Sequence, residues 1–271
     1  MKNHVIPVAV NEGGRLINFE MRDIPDFEYF VREKVNLGRG YEHDITALLA
    51  RAIRPGDRVI DAGANVGFFT IMMSQLVGDD DAAAVLAFEP DVFNFRRLID
   101  NLELNAIDNV LAVPMALWDS DGQVVFNETG THSSSTLEVR ASHVNRVIRT
   151  ARTLDSIVPP EWGHVRLIKV DCEGAEHKIL CGARNLLKRG VDFVVFEINF
   201  DLMPAAGFTQ WDIRLPMHHL GYECFVLKPN GEKPIPLPID YDLEVETLTK
   251  TVAPKVNCVF TTPDKIKAIW Q

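Results

Sequence analysis

The chain has no long hydrophobic run. Nowhere in its 271 residues does an apolar stretch approach the roughly 20 residues that span a bilayer, and the N-terminal Met1-Lys-Asn-His-Val5 lacks the apolar core of a secretory signal. A soluble, cytoplasmic protein is expected. Cysteine is scarce: Cys172, Cys181, Cys224 and Cys258 form no C-x-x-C pair and have no histidine at zinc spacing. That argues against a disulfide framework and leaves scattered thiols of a reducing compartment. Positive charge is also short, with 28 Lys and Arg against 38 Asp and Glu for a net charge of -10. Such a balance works against gripping a phosphate backbone and favours a small or neutral acceptor over nucleic acid. What is plentiful is ordinary core material: 46% hydrophobic and 24% charged residues lie in the globular range, enough for one large domain.

The informative stretch is Arg58-Val-Ile-Asp-Ala-Gly-Ala-Asn-Val-Gly-Phe-Phe-Thr70. Val59 and Ile60 make an apolar strand ending on Asp61, Gly63 and Gly67 make a turn, and Phe68, Met72 and Leu76 recur as one face of a helix. A strand, a glycine turn and a helix N-terminus bring backbone close to a nucleotide-like ligand. The spacing is Asp-x-Gly-x-x-x-Gly rather than the three-glycine pattern of dinucleotide sites, so an NAD-dependent oxidoreductase is the weaker reading. A carboxylate at this strand end repels a pyrophosphate and attracts the sulfonium or ammonium of S-adenosylmethionine. Glu89 closes the next apolar run, Ala84-Val-Leu-Ala-Phe-Glu-Pro90, where an acid that grips ribose hydroxyls belongs. The bland alternative is that the glycines only relieve backbone strain and that Glu89 is a surface acid before Pro90.

Residues 1–40 mix short apolar pieces with charges and read as a cap or lid over a catalytic domain of residues 41–271. A helix is expected from Asp44, as N-cap, to Ile53, closed by Pro55-Gly56. Strands near 84–88 and 110–115 alternate with a helix headed by Asp91, implying an α/β fold with a mostly parallel sheet covered on both faces. Residues 118–155 break this rhythm with turn signals and read as a hairpin-like insertion reaching over the carboxyl edge of the sheet, built on Val124–Phe126 and Val144–Ile148. The rhythm resumes with a strand to Asp171, one helix from Gly174 to a stop at Gly190, and a strand Phe193–Ile198. A helix near 209–220, a strand Cys224–Leu227, a Pro-rich loop to Tyr241 and a strand Asn257–Phe260 follow.

Ligands of an open parallel sheet bind at the carboxyl ends of its strands. Here four ends finish in polar residues: Asp61, Glu89, Asp171 with Glu173 beyond it, and Glu197 with Asn199. The third strand ends in Met115-Ala-Leu-Trp118, where Ala116 belongs to an apolar floor suited to an adenine ring. Asp171 is placed to face a transferred group, with Lys169 as counter-charge. The competing reading is that Asp171 and Glu173 merely cap the following helix. His132, beside three serines at the insertion's tip, joins Asp171 and Glu173 as a candidate base.

Together these residues carry a family resemblance. Val59–Thr70, Phe88-Glu-Pro90 with Asn94, Thr153-Leu-Asp155 and, above all, Leu167-Ile-Lys-Val-Asp-Cys-Glu-Gly-Ala-Glu176 resemble the FkbM-type family of S-adenosylmethionine-dependent methyltransferases, over residues 41–260. The resemblance implies a Rossmann-like class I methyltransferase fold, a seven-stranded sheet whose last strand is antiparallel, and O-methylation of hydroxyls on sugars or polyketide-like compounds. It implies cofactor contacts from Asp61, Gly63, Asn65, Gly67 and Glu89, with Ala64 and Pro90 beside them. It leaves the acceptor open, and residues 1–40 lie outside it.

The leading expectation is therefore methyl transfer from S-adenosylmethionine to an alcohol oxygen of a small molecule or glycan, with no nucleic acid or membrane partner. One alternative adds Mg²⁺ on Asp171, Glu173, Glu197 and Asn199, a hard-oxygen set. Another is a protein that binds S-adenosylmethionine without catalysis.

Overall fold

Short, almost wholly apolar segments rich in β-branched and aromatic residues are too brief for core helices and suit strands covered on both faces. The computed structural model, which describes residues 5–12, 14–22, 41–78, 84–128, 145–243 and 255–271, places a strand at each such segment. In chain order the elements are β1 (Val5–Glu12), β2 (Arg15–Arg22), α1 (His43–Ala52), β3 (Val59–Ala62), α2 (Phe68–Val77), β4 (Val85–Phe88), α3 (Val92–Leu104) and β5 (Val110–Val113). Then come β6 (Ala116–Leu117), β7 (Gly122–Glu128), β8 (Asn145–Arg152), α4 (Leu154–Ile157), β9 (Val165–Val170), α5 (Glu176–Cys181), α6 (Arg184–Arg189) and β10 (Val191–Asn199). The remainder is α7 (Met203–Ala206), α8 (Gln210–His219), β11 (Glu223–Val226), β12 (Ile235–Leu237), β13 (Lys255–Thr261) and α9 (Pro263–Ile269).

The main sheet runs β12-β11-β13-β10-β9-β3-β4-β5. Strands β10, β9, β3, β4 and β5 are parallel, and β13 lies antiparallel between β10 and β11. This is the Rossmann-like class I arrangement of seven strands with the last one reversed, enlarged by one: β12 pairs antiparallel with β11 at the outer edge. The sequence reading leaves Ile235–Leu237 in a loop because Pro234, Pro236 and Pro238 remove backbone donors. An edge strand, hydrogen-bonded on one side only, tolerates that. Alternation along each central strand sends Val59 and Leu167 into one core and Ile60 and Ile168 into another, on opposite faces of the sheet.

Residues 5–12 and 15–22 of the expected cap form an antiparallel pair, β1 with β2, whose alternate residues Val8, Val10, Ile17, Phe19 and Met21 are buried in the core shared with α1 and α2. Phe19 meets Phe68 edge-on at 5.3 Å. Asn101 Oδ1 accepts from Arg22 N at 2.8 Å and Asn105 Oδ1 from Glu20 N at 2.8 Å, fastening the hairpin to α3. Residues 23–40 lie outside the described residues.

The insertion is a three-stranded sheet in the order β6-β8-β7, with its tip, residues 129–144, outside the described set. The single helix expected over 174–190 is broken into α5 and α6 at Gly182. A Cβ there would lie 2.0 Å from the Trp118 carbonyl oxygen, so the chain bends where the insertion's base presses on it. No helix among the described residues is long and apolar enough to cross a membrane.

Candidate active site

The glycine turn after β3 is shaped by close backbone approach. Gly63 adopts φ +83°, and a Cβ there would sit 1.9 Å from the carbonyl oxygen of Asp171; only glycine lets the ends of β3 and β9 come this close. Gly63 N and Ala64 N both donate to Phe88 O at 3.0 Å. Asn65, itself at φ +51°, donates its N–H to Glu89 Oε2 at 2.8 Å. Gly67, at φ +95°, opens α2.

Glu89 is buried, and its second oxygen accepts from Asp91 N at 2.8 Å. Burial pushes its carboxyl up to about 7 against the pull of those two N–H groups. Asp91 caps α3 by accepting from Phe93 N and Asn94 N. The Pro90 carbonyl accepts from Arg149 Nε at 2.8 Å, and Arg149 pairs with Glu128. The carboxyl end of β4 is thereby tied to the insertion. Ala116 is buried in β6, opposite Ala151 of β8.

Asp61, read in the sequence as a group facing the cofactor's positive end, is completely buried. Its Oδ2 accepts from Thr70 Oγ1 at 2.6 Å, while Lys169 Nζ stands 3.8 Å from Oδ1. Burial raises its carboxyl, and Lys169 and Thr70 oppose that. Lys169, directly across from Asp61 in the β3–β9 register, is also buried and lies 3.2 Å from Asp171 Oδ2 and 5.0 Å over the Phe69 ring. Burial works against its charge, yet Asp171, Asp61 and Glu42 hold its ammonium above the ordinary lysine range. An ammonium shared between two carboxylates keeps Asp171 oriented at the strand end.

The turn after β9 is clasped by Glu176, whose carboxylate accepts from Cys172 N at 3.0 Å and Gly174 N at 2.9 Å. The helix start is thus held by Glu176, and neither Asp171 nor Glu173 is its N-cap. Glu173 sits at φ +49°, a conformation that a non-glycine residue pays to adopt. Burial, then Asp171 and Glu197, push its carboxyl up to about 7.

The structure adds residues to this edge that the sequence reading did not select. Glu42, at the N-cap of α1 with φ +42°, has its carboxyl pushed up to about 7 by burial and by Asp171, against Lys169 and Lys255. Tyr41 packs on Phe68 and Phe69. Asp44, expected as the cap itself, instead accepts from Asn257 Nδ2 at 2.8 Å. No local motif marks Glu42; only folding brings it to Asp171. Glu176 was visible as an acid in the first turn of a helix.

The four oxygen donors considered for Mg²⁺ do not assemble. Glu197 pairs with Lys255 at 2.7 Å, Asn199 donates to Glu197 at 3.3 Å and accepts from Asp201 N, and no group of three or more His, Cys, Asp or Glu among the described residues is arranged to hold a metal. His132 lies outside the described residues.

The family described as methyltransferase FkbM domain matches residues 61–224, the interval from the first acid of the glycine turn to β11. A curated relative, Methyltransferase 1 of Beauveria bassiana (strain ARSEF 2860), is 27% identical over 163 residues, which is 52% of this chain and 64% of the relative. Among solved structures, an FkbM methyltransferase from Methylobacillus flagellatus KT is similar with TM-score 0.46 and 12% identity, over 81% of this chain and 53% of that one. An rRNA methylase from Streptococcus thermophilus aligns with TM-score 0.43 and 13% identity, over 79% of this chain and 92% of that one. The chain thus spans about 64% of the curated relative and 53% of the first structure. At these TM-scores the structural likenesses bear on neither acceptor nor activity.

Proposed function

This chain belongs to the methyltransferase FkbM domain family, and we propose that it transfers a methyl group from S-adenosylmethionine to a hydroxyl of a sugar or polyketide-like small molecule. The observation that carries the proposal is the convergence at one sheet edge of the Gly63–Gly67 turn, the Glu89 carboxylate and the Asp171–Glu173 turn. Each oxygen of Glu89 accepts one backbone N–H and retains a lone pair, which suits the vicinal hydroxyls of a ribose. The carboxylates of Asp171, Glu173 and Glu42 at the same edge suit a cofactor that carries a sulfonium and an ammonium. These acceptors fit the cofactor, with Gly63, Ala64, Asn65 and Gly67 supplying the backbone around it.

When bound, the cofactor supplies an electrophilic methyl group. The protein's task is to hold the acceptor oxygen in line and to take its proton, and positioning alone is worth several kcal/mol. Lys169, 3.2 Å from Asp171 Oδ2, holds Asp171 aimed as an acceptor for the substrate hydroxyl. Glu173, poised near neutrality, takes the proton. Phe68, Phe69 and Tyr41 wall off the β3 side. The net charge of -10 favours a small acceptor over a polyanion.

The test combines calorimetry with S-adenosylhomocysteine and single-turnover transfer of a labelled methyl to a panel of hydroxylated acceptors. Glu89→Ala is expected to weaken cofactor binding roughly ten- to a hundred-fold. Asp171→Asn is expected to spare cofactor affinity and cut the transfer rate. Wild-type affinity in Glu89→Ala, or unimpaired transfer by Asp171→Asn, would displace the site.

A further inference from the structure

Away from the sheet edge, a groove of about 320 Å³ runs between α5–α6 and α8. Its walls are apolar: Leu180 and Leu187 from one side, Trp211, Leu215 and Pro216 from the other. Leu215 is 42% exposed, one of the few large hydrophobic side chains turned outward among the described residues. The polar groups at the groove are mostly cationic or basic: Arg184, His177 and His219. Its single carboxylate, Asp212, is already spent on the α8 capping box, where it accepts from Thr209 N and Oγ1 at 2.8 and 2.9 Å.

Charge around the groove runs against the chain's overall sign. Residues 177–191 carry Lys178, Arg184, Lys188 and Arg189 with no Asp or Glu, in a protein of net charge -10. Lys178 pairs with Asp119. Arg184 Nη2 donates to the Cys181 sulfur at 3.6 Å, and among the described residues it has no ion pair with a carboxylate. An exposed guanidinium without an anionic partner, set beside a half-open apolar trough with an indole in its wall, is the combination that recognises a molecule with an apolar body and a negative head.

We propose that this groove binds a small amphipathic carboxylate, its aliphatic or aromatic part against Trp211 and Leu215 and its carboxylate on Arg184. The site is separate from the sheet edge and does not rest on the methyl-transfer reading. One of its walls is α5, whose first residue, Glu176, clasps the turn carrying Asp171 and Glu173.

The probe is octanoate, titrated calorimetrically into the full chain, with 1-octanol as its uncharged counterpart. Octanoate is expected to bind with a dissociation constant on the order of 1 mM or below, and octanol at least about tenfold more weakly. Arg184→Gln should weaken octanoate about tenfold and leave octanol unchanged. Leu215→Asp should weaken both, and since both side chains are exposed, the variants should melt with the wild type. Equal affinities for octanoate and octanol, or an Arg184→Gln variant that binds octanoate as the wild type does, would overturn the proposal. So would a concentration-dependent dimer that Leu215→Asp dissociates and octanoate does not, which would give the groove to a second copy of the chain.

Discussion

Glu173 and Asp171 share a turn but differ in what surrounds them. Asp171 has the Lys169 ammonium 3.2 Å away, whereas Glu173 has burial and two neighbouring carboxylates working against its charge, which brings it to about 7. A general base is most useful when its pKa lies near the working pH. The catalytic rate is therefore expected to rise with pH through about 7 as Glu173 ionises, then level off. Glu173→Gln should remove that limb and lower the rate by about 10²–10⁴-fold. A pH–rate profile of single-turnover transfer checks this: an unchanged limb in Glu173→Gln would move the base elsewhere, with Glu42 next in line.

At the scale of elements, local pattern carried most of the fold. Apolar runs of strand length, glycine stops and the Asp91 cap located the parallel strands and their helices, and the antiparallel last strand came with the family resemblance. What escaped depended on contacts remote in sequence. The alternation in Val5–Glu12 and Arg15–Arg22 is a hairpin signal of period two, but its placement is set by contacts remote in sequence, Phe19 with Phe68 of α2 and Arg22 and Glu20 with Asn101 and Asn105 at α3. The break at Gly182 depends on the Trp118 carbonyl, which no local reading supplies. The candidate site divided in the same way: the positions of Glu89 and the Asp171–Glu173 turn at strand ends were legible, those of Glu42 and Lys255 beside them were not. Asn101 joins three of these elements, since its Oδ1 accepts from Arg22 N and its Nδ2 donates to Val66 O at 2.9 Å in the glycine turn. Asn101→Ala is expected to cost about 1–3 kcal/mol, because it strands a partly buried donor, Arg22 N–H, and a buried acceptor, Val66 O. Denaturant melts measure the cost, and faster amide exchange at Arg22 would show that the hairpin loosens first.

For the whole molecule, four carboxyls at or near the candidate site, Glu42, Glu89, Glu173 and Glu176, are each pushed up to about 7 by burial. The unfolded chain ionises them near the ordinary glutamate value, so between about 4.5 and 7 the folded state holds more protons. Their contribution to stability is full below that window and is lost as pH rises through 7. The ligand-free protein should thus gain about 1.4 kcal/mol or more on going from pH 8 to 5.5, read from urea melts at constant ionic strength. The carboxylates held low by partners, such as Asp119 and Asp192, titrate below this window and do not mask the trend. A flat or rising stability between pH 5.5 and 8 would mean these groups are ionised in the apo protein.

The reversed strand β13 has a consequence for synthesis. It comes from residues 255–261, after both β10 and β11 in sequence, yet it sits in the interior of the sheet with β10 on one side and β11 on the other. A ribosome delivers β10 and β11 well before it, and neither can complete its hydrogen-bonding until β13 slides between them. The nascent chain therefore waits with an open slot next to its central strands, a template for foreign strands, and a strand that emerges only after both of its neighbours is the one that closes it.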